Sequence, residues 1–202
     1  MIKQLLITLF LFCTLSVSVA ETNDDEIKRL LAKPFVKADF VKTRKLKILS
    51  RPFITSGKIL FLPEKGLVWH TTKPIEDILL IGHKGVSQLK NLDSAPVKID
   101  NPVIESASNV FITIFSLDLE KIKSIFTLKR LANENNKQVY FLEAKDENIR
   151  KIIGRIEISG KERVEQIYIE EVSGDSTLVK LKNEQTDKSS FDATDSRLLG
   201  MM

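Results

Sequence analysis

The chain has 202 residues, with 31 Lys and Arg against 27 Asp and Glu, one cysteine, two histidines and one tryptophan. A formal net charge of +4 built from both signs lacks the dense basic stripe of a nucleic-acid footprint. A single cysteine excludes an internal disulfide framework.

The N-terminus reads as a secretory signal peptide. Lys3 supplies a positive start, Leu5 to Leu15 is an almost unbroken apolar run, and Ser18-Val19-Ala20 places small residues at the cleavage-determining positions. The apolar core falls short of the roughly 20 residues that a membrane-spanning helix needs, which favours cleavage before Glu21 over an uncleaved anchor. Cys13 follows Phe12, where a lipoprotein signal needs a small residue, and is read as part of the apolar core. Without residues 1–20 the chain keeps 182 residues, 30 basic and 27 acidic, for a net charge of +3. That length suits one domain with a substantial core. The expected division is a signal segment over 1–20, a domain over 21–187, and a polar, frayed tail over 188–202. No second long apolar run follows, and the mature chain is expected to be soluble.

Residues 23–33 predict a short amphipathic helix. Asn23 and Glu26 have capping-box spacing, Ile27, Leu30 and Leu31 share a face, and Pro34 ends it. The apolar period then changes to two. Residues 40–49 are read as a strand with Leu46 and Ile48 on one side and Lys45 and Lys47 on the other. Residues 54–62 put Ile59 and Phe61 together opposite Lys58. Further short strands are expected over 67–72, 77–82 and 85–89, separated by Pro63-Glu64-Lys65-Gly66, by Lys73-Pro74 and by the Gly82–Gly85 turn. Residues 92–105, with Pro96 and Pro102, read as a connecting loop.

Residues 106–126 are ambiguous. Val110, Phe111, Ile114 and Phe115 suit a helix by spacing and a strand by β-branched content; 118–125 is more clearly helical. Alternation resumes over 126–131, 138–144, 152–159, 163–171 and 177–183, with turns at Asn133–Asn136, Ser159-Gly160-Lys161 and Ser173-Gly174-Asp175-Ser176. The order is therefore helix, about five strands, two helices and about five strands. An antiparallel sheet of that many strands tends to curl. Three short helices would cover its apolar face only in part, and an incompletely covered curved sheet is a container shape. The fold class expected is α+β: one curved antiparallel sheet forming an unclosed barrel, with a lid of short helices.

Residues 46–74 carry a resemblance. They read Leu-Lys-Ile-Leu-Ser-Arg-Pro-Phe-Ile-Thr-Ser-Gly-Lys-Ile-Leu-Phe, followed by Gly66-Leu67-Val68-Trp69 and Lys73-Pro74. Ile156-Glu157-Ile158-Ser159-Gly160, Ile169-Glu170-Glu171 and Gly174-Asp175-Ser176-Thr177 agree in the second half. The pattern resembles the LolA-like outer-membrane lipoprotein carrier family, in its LolA-related branch, over nearly all of the mature chain. The resemblance implies an unclosed β-barrel with a helical lid over an apolar cavity for acyl chains. It also implies a periplasmic shuttle from an inner-membrane exporter to an outer-membrane acceptor. Two departures concern the client more than the fold. Phe40-Val41-Lys42 stands where many members have Phe-x-Gln, and the arginine that latches the lid maps to either Arg44 or Arg51.

Under this reading the cavity and lid are formed by Leu46, Ile48, Ile59, Phe61, Trp69, Leu79, Ile81, Phe111, Phe115, Ile158, Ile167 and Ile169. For Trp69 the alternatives are a cavity wall and ordinary core packing. For Phe111, Ile114 and Phe115 they are a lid and a core face. Lys37, Lys42, Arg44, Lys45, Lys47, Arg51 and Lys58 form one basic concentration, suited to anionic headgroups or to an acidic exporter patch, or to guarding a sheet edge. His70 and His83 have no further ligands or nucleophile near them in sequence, and no phosphate loop, paired catalytic carboxylates or nucleophile elbow occurs. No catalytic residue, metal or cofactor is expected. The function expected is a monomeric periplasmic carrier of an acylated client, with transient membrane contact. The rival is an interaction or assembly module whose inner face is filled with side chains.

Overall fold

A computed structural model describes residues 24–32, 34–82, 85–131 and 137–202. The signal segment with Cys13, the Asn23 cap, Lys33, His83 and the turn at Asn133–Asn136 lie outside the described residues.

Helix α1 (Asp24–Leu31) leads into a meander of six strands: β1 (Lys37–Lys45), β2 (Phe53–Leu62), β3 (Gly66–Lys73), β4 (Asp77–Gly82), β5 (Gly85–Leu89) and β6 (Val97–Ile99). Helices α2 (Pro102–Ser116) and α3 (Leu119–Ile125) follow. The second half comprises β7 (Phe126–Arg130), β8 (Gln138–Ala144), a one-turn helix α4 (Glu147–Arg150), β9 (Ile153–Gly160), β10 (Val164–Glu171) and β11 (Ser176–Gln185). A 3-10 turn at Lys188–Ser190 and helix α5 (Ala193–Gly200) end the chain.

All eleven strands form one sheet in the order β6-β5-β4-β3-β2-β1-β11-β10-β9-β8-β7. Each neighbouring pair is antiparallel. β6 and β7 lie at opposite edges and do not pair, so the sheet is open. The two halves meet at its middle, where β1 runs against β11 from Lys37↔Gln185 to Lys45↔Ser176. This joint sets the path of everything between. The chain leaves one edge at β6 and re-enters at the other edge with β7, so α2 and α3 must cross the open side.

Alternation gives the sheet two different faces. Ala38, Phe40, Ile59, Phe61, Leu67, Trp69, Ile81, Ile158, Ile167, Val179 and Leu181 bury their side chains with residues of α1, α2 and α3 in the larger apolar cluster. Their sequence neighbours Leu60, Leu62, Val68, Ile78 and Leu80 face the other way, into a second cluster closed by Leu198 and Leu199. A register shift between Val164 and Gln166 carries the buried phase of β10 from Val164 to Ile167 and Ile169. At Gly57 a Cβ would stand 1.9 Å from the His70 carbonyl oxygen; only glycine lets β2 and β3 pass that closely.

Two expectations are corrected and one ambiguity is resolved in favour of the two helices in the expected order. Residues 92–105 are not a plain loop: they hold β6 and the first turn of α2, where the Asn101 side chain accepts from the Ile104 N–H at 3.3 Å and Pro102 opens the helix. Proline at the first helical position gives up an N–H that would be unpaired anyway, so Asn-Pro here is a helix start. Residues 106–126 resolve as α2 and α3, with Asp118 capping α3 through the Glu120 and Lys121 N–H groups.

The second correction is at the tail, which is not frayed. Asp192 and Asp195 form a reciprocal capping box at the start of α5. The same two carboxylates hold the Lys37 ammonium of β1, Asp195 by a close charge-assisted contact and Asp192 at 3.5 Å. Burial works against the Lys37 ammonium, but the two carboxylates outweigh it and raise its pKa.

Because Leu198 is fully enclosed on the convex face, Leu198→Ala is expected to cost about 2–5 kcal/mol in urea-induced unfolding. A loss below about 0.5 kcal/mol, the range of surface changes, would mean α5 does not cover that face.

Candidate ligand site

The concave side is defined by the lid helices and the strands beneath them. α2 rests on β3 and β5 and touches α3; α3 in turn rests on β7 and α1. An ion pair between Glu26 of α1 and Arg130 of β7 at 2.6 Å ties α1, on which α3 rests, to the edge strand of the sheet. Between α2 and α3 the chain turns at Leu117 with φ 51°. A leucine in the left-handed region is strained by roughly 1–2 kcal/mol, and this bend sits at the joint between the two lid helices.

Under α2 lies an aromatic cluster centred on Trp69. Its ring is 4.5 Å from that of Phe40 on β1, 5.6 Å from Phe115 and 6.4 Å from Phe111, both on α2. Phe35 meets Phe115 edge-on at 6.4 Å. Trp69 is only 6% exposed, and its Nε1 is buried without a protein acceptor among the described residues. The Lys42 ammonium stands 5.5 Å from the centroid of the same ring. Burial, and to a lesser degree the like charge of Arg44, lowers its pKa, while Asp77 opposes the shift.

Beside this cluster, toward the other end of β2, a cavity of about 370 Å³ separates α2 from the strand ends. Phe61, Pro63, Val86 and Ile112 give it an apolar wall; Ser108, Asn109, Thr113, Ser116 and Lys121 make the rest polar. Two of those hydroxyls, on Ser108 and Ser116, donate back to carbonyls of their own helix at 2.7 Å. The volume lies within the roughly 300–1,000 Å³ of small-molecule sites.

Ten of the twelve residues expected to line the cavity and lid gather on this side. Ile59, Phe61, Trp69, Ile81, Phe115, Ile158, Ile167 and Ile169 are buried in the larger cluster, and Leu79 and Phe111 pack against it. Leu46 and Ile48 do not. β1 ends at Lys45, and the chain turns there: the Leu49 N–H donates to the Leu46 carbonyl at 2.9 Å, and the Lys47 N–H to Asp175 at 2.9 Å. Ile48 is consequently 88% exposed at the tip of the β1–β2 hairpin, in company with exposed Leu49, Phe53 and Ile54.

Neither candidate latch arginine is paired with a lid helix among the described residues. Arg44 reaches Glu171 at 3.3 Å and Asp175 at 3.8 Å, on β10 and the turn after it, and Arg51 is exposed on the hairpin tip. His70 faces away from the cluster and pairs its Nε2 with Glu76 at 2.9 Å. Among the described residues no three His, Cys, Asp or Glu side chains gather as metal ligands.

Phe40, Lys42 and Thr55 belong to the same face but are absent from the expected cavity lining; Phe40 and Lys42 enter the sequence reading only as the first-strand motif and, for Lys42, as part of the basic concentration. Phe40 was legible from its alternation with Ala38. Lys42 and Thr55 were not, because a polar residue at a concave position reads as a strand end.

No protein-family model matches the chain, and no curated protein matches it. Among solved structures it is similar to a LolA superfamily protein from Nitrosomonas europaea, at 9% identity and TM-score 0.46, over 84% of this chain and 95% of that one. It is also similar to a DUF1329 family protein from Desulfovibrio piger, at 8% identity and TM-score 0.48, over 86% and 95%. A third is a putative outer membrane lipoprotein-sorting protein domain from Vibrio parahaemolyticus, at 12% identity and TM-score 0.42, over 87% and 96%. An open antiparallel sheet with helices across its concave side is the architecture that the resemblance of residues 46–74 to the LolA-like family implies.

Arg44 is 46% exposed on its side chain, where an ion pair contributes at most about 1 kcal/mol. Arg44→Ala is therefore expected to lose no more than that in unfolding and to keep the emission maximum of Trp69. A red-shifted emission would show that Arg44 does hold the helices down.

Proposed function

We propose that this chain is a periplasmic carrier that takes up an acyl chain of a lipid or lipoprotein between α2 and the concave face of the sheet, without catalysis. The observation that carries the reading is the seam under α2. Phe111 and Phe115 close on Trp69, and a cavity of about 370 Å³ continues the seam toward Phe61 and Ile112. An acyl chain entering there replaces apolar lid contacts with apolar ligand contacts. The exchange costs little, and each methylene taken out of water contributes about 0.8 kcal/mol. The strained turn at Leu117 is a natural place for α2 to move relative to α3.

The filled aromatic seam also fits the rival reading, in which the inner face is core and the protein acts through its surface. What favours the carrier is the buried Trp69 Nε1, left without an acceptor among the described residues, since a finished core pairs its polar groups.

Delivery requires contact with the membranes, or with an exporter and an acceptor set in them. The β1–β2 hairpin tip supplies a surface of the right kind. Exposed Ile48, Leu49, Phe53 and Ile54 stand among Lys45, Lys47 and Arg51, combining apolar insertion with attraction to anionic headgroups.

Trp69 reports uptake because no other tryptophan contributes. Titration with dodecanoate is expected to shift its emission and saturate, and Phe111→Glu to abolish the response while the strand signal in circular dichroism persists, because a charge facing the seam costs several kcal/mol. A protein that emerges from the periplasm without lipid but with a stoichiometric protein partner, and that gives no response to dodecanoate, would establish the interaction module instead. Ile48→Asp is expected to weaken binding to phosphatidylglycerol vesicles; unchanged binding would remove the hairpin tip from the membrane contact.

A further inference from the structure

On adjacent strands of the concave face, among the described residues, two buried polar groups have no hydrogen-bond partner and a lysine beside them has no ion pair. Lys42 on β1 and Thr55 on β2 are directly paired residues of the ladder. Thr55 shares its face with Ile59, which in turn pairs with Trp69 on β3. The Thr55 Oγ1 and the Trp69 Nε1 are both buried with no hydrogen-bond partner among the described residues. The Lys42 ammonium, half-buried 5.5 Å from the Trp69 ring, has no ion pair among the described residues. Asp77, the acidic group whose charge acts on Lys42, already accepts from the Gln88 amide at 2.6 Å. The next cation, Arg44, is occupied by Glu171 and Asp175.

All three groups can donate: an ammonium, a hydroxyl and an indole N–H. A cluster of buried donors without acceptors is costly unless something arrives with acceptor oxygens, and the positive charge of Lys42 selects an anionic one. The cluster also has a position relative to the cavity. Thr55 and Phe61 lie at opposite ends of the concave stretch of β2, six residues or roughly 20 Å apart, with the aromatic cluster between them. A ligand with a charged head at the Thr55 end and an apolar tail running under α2 toward Phe61 would meet both.

We infer that Lys42, Thr55 and Trp69 form a headgroup site for an oxyanion, such as a carboxylate or phosphate, carried on the end of an acyl chain held under the lid. The inference rests on the carrier reading and adds to it a ligand class. The tail supplies affinity, and the donor cluster sets which end of the ligand points where and prefers charged-head amphiphiles over neutral ones.

The test compares dodecanoate with dodecanol, which share a tail and differ in the head, by calorimetry on the protein. Dodecanoate is expected to bind about tenfold to a hundredfold more tightly, the range of a hydrogen bond to a charged group. That preference is expected to collapse toward one in Lys42→Met, to survive in Lys42→Arg, and to fall in Thr55→Val and in Trp69→Phe, which keeps a ring but removes the N–H. Urea midpoints close to that of the unsubstituted protein show that each variant is folded. Equal affinity for the two ligands, or a preference that Lys42→Met leaves intact, overturns the headgroup site and leaves the carrier standing. Failure of both ligands to bind overturns the carrier and the headgroup site together. Acetate and inorganic phosphate are expected to compete poorly; competition by either at the affinity of dodecanoate would show a site for free anions and overturn the assignment to an acyl headgroup.

Discussion

The pairing of β1 with β11 is the constraint on which the rest of this structure depends. It joins the first strand of the chain to the last and makes one sheet out of two meanders. With that joint in the middle, the strands connected by α2 and α3 become the two outermost strands. The connection runs across the concave side, where α2 packs on β3 and β5 and α3 on β7. The lid is therefore a consequence of topology before it is a matter of helix packing. Side-chain contacts decide only how tightly it closes.

The same joint explains why the sheet needs a second core. An open sheet of eleven strands has a convex face as well as a concave one, and the strands of the first meander are apolar on both: Leu60, Val68 and Leu80 point outward while Ile59, Trp69 and Ile81 point inward. Helix α5 answers this by laying Leu198 and Leu199 over the convex face, anchored through Asp195 and Asp192 to Lys37 near the start of β1. The anchor lies on one of the two joint strands, so the C-terminal helix braces the joint from behind while the lid covers its front. A sheet face covered once by a well-capped helix is fixed structure. The concave side carries the aromatic seam, the cavity and two buried polar atoms, Thr55 Oγ1 and Trp69 Nε1, that have no hydrogen-bond partner among the described residues.

That contrast gives the concave face its chemical character. A purely apolar seam would bind any hydrocarbon in either direction. Lys42, Thr55 and the indole N–H of Trp69 break that symmetry at one end, and they do so with donors alone. Desolvation is the main influence on the Lys42 ammonium, and it lowers the pKa. A cation held in that condition gains more from an incoming anion than one already paired at the surface, as Arg44 is.

The sequence by itself determined the elements and most of their faces. β4 and β5, apolar on both faces, are bounded by the Lys73-Pro74 and Gly82–Gly85 turn signals. Period-two alternation instead marks β8 and β10 nearly to the residue, because each of these strands buries one face and its apolar residues must then recur at every second position. For the same reason Ile59, Phe61, Trp69, Ile81, Ile158 and Ile167 were legible as one set. Three things were decided only by the tertiary structure. The end of β1 depends on a partner: Leu46 and Ile48 continue its apolar phase but have left the ladder, because β11 begins only at Ser176, opposite Lys45, and leaves nothing beyond it to pair with. The last fifteen residues look polar one by one, and become helix and core only because a convex apolar face waits for Leu198 and Leu199. Finally, Lys42 and Thr55 carry no periodic signal of function. A polar residue within a strand has no meaning until pairing sets its neighbours, and the β1–β2–β3 register alone brings the ammonium, the hydroxyl and the indole N–H onto one face.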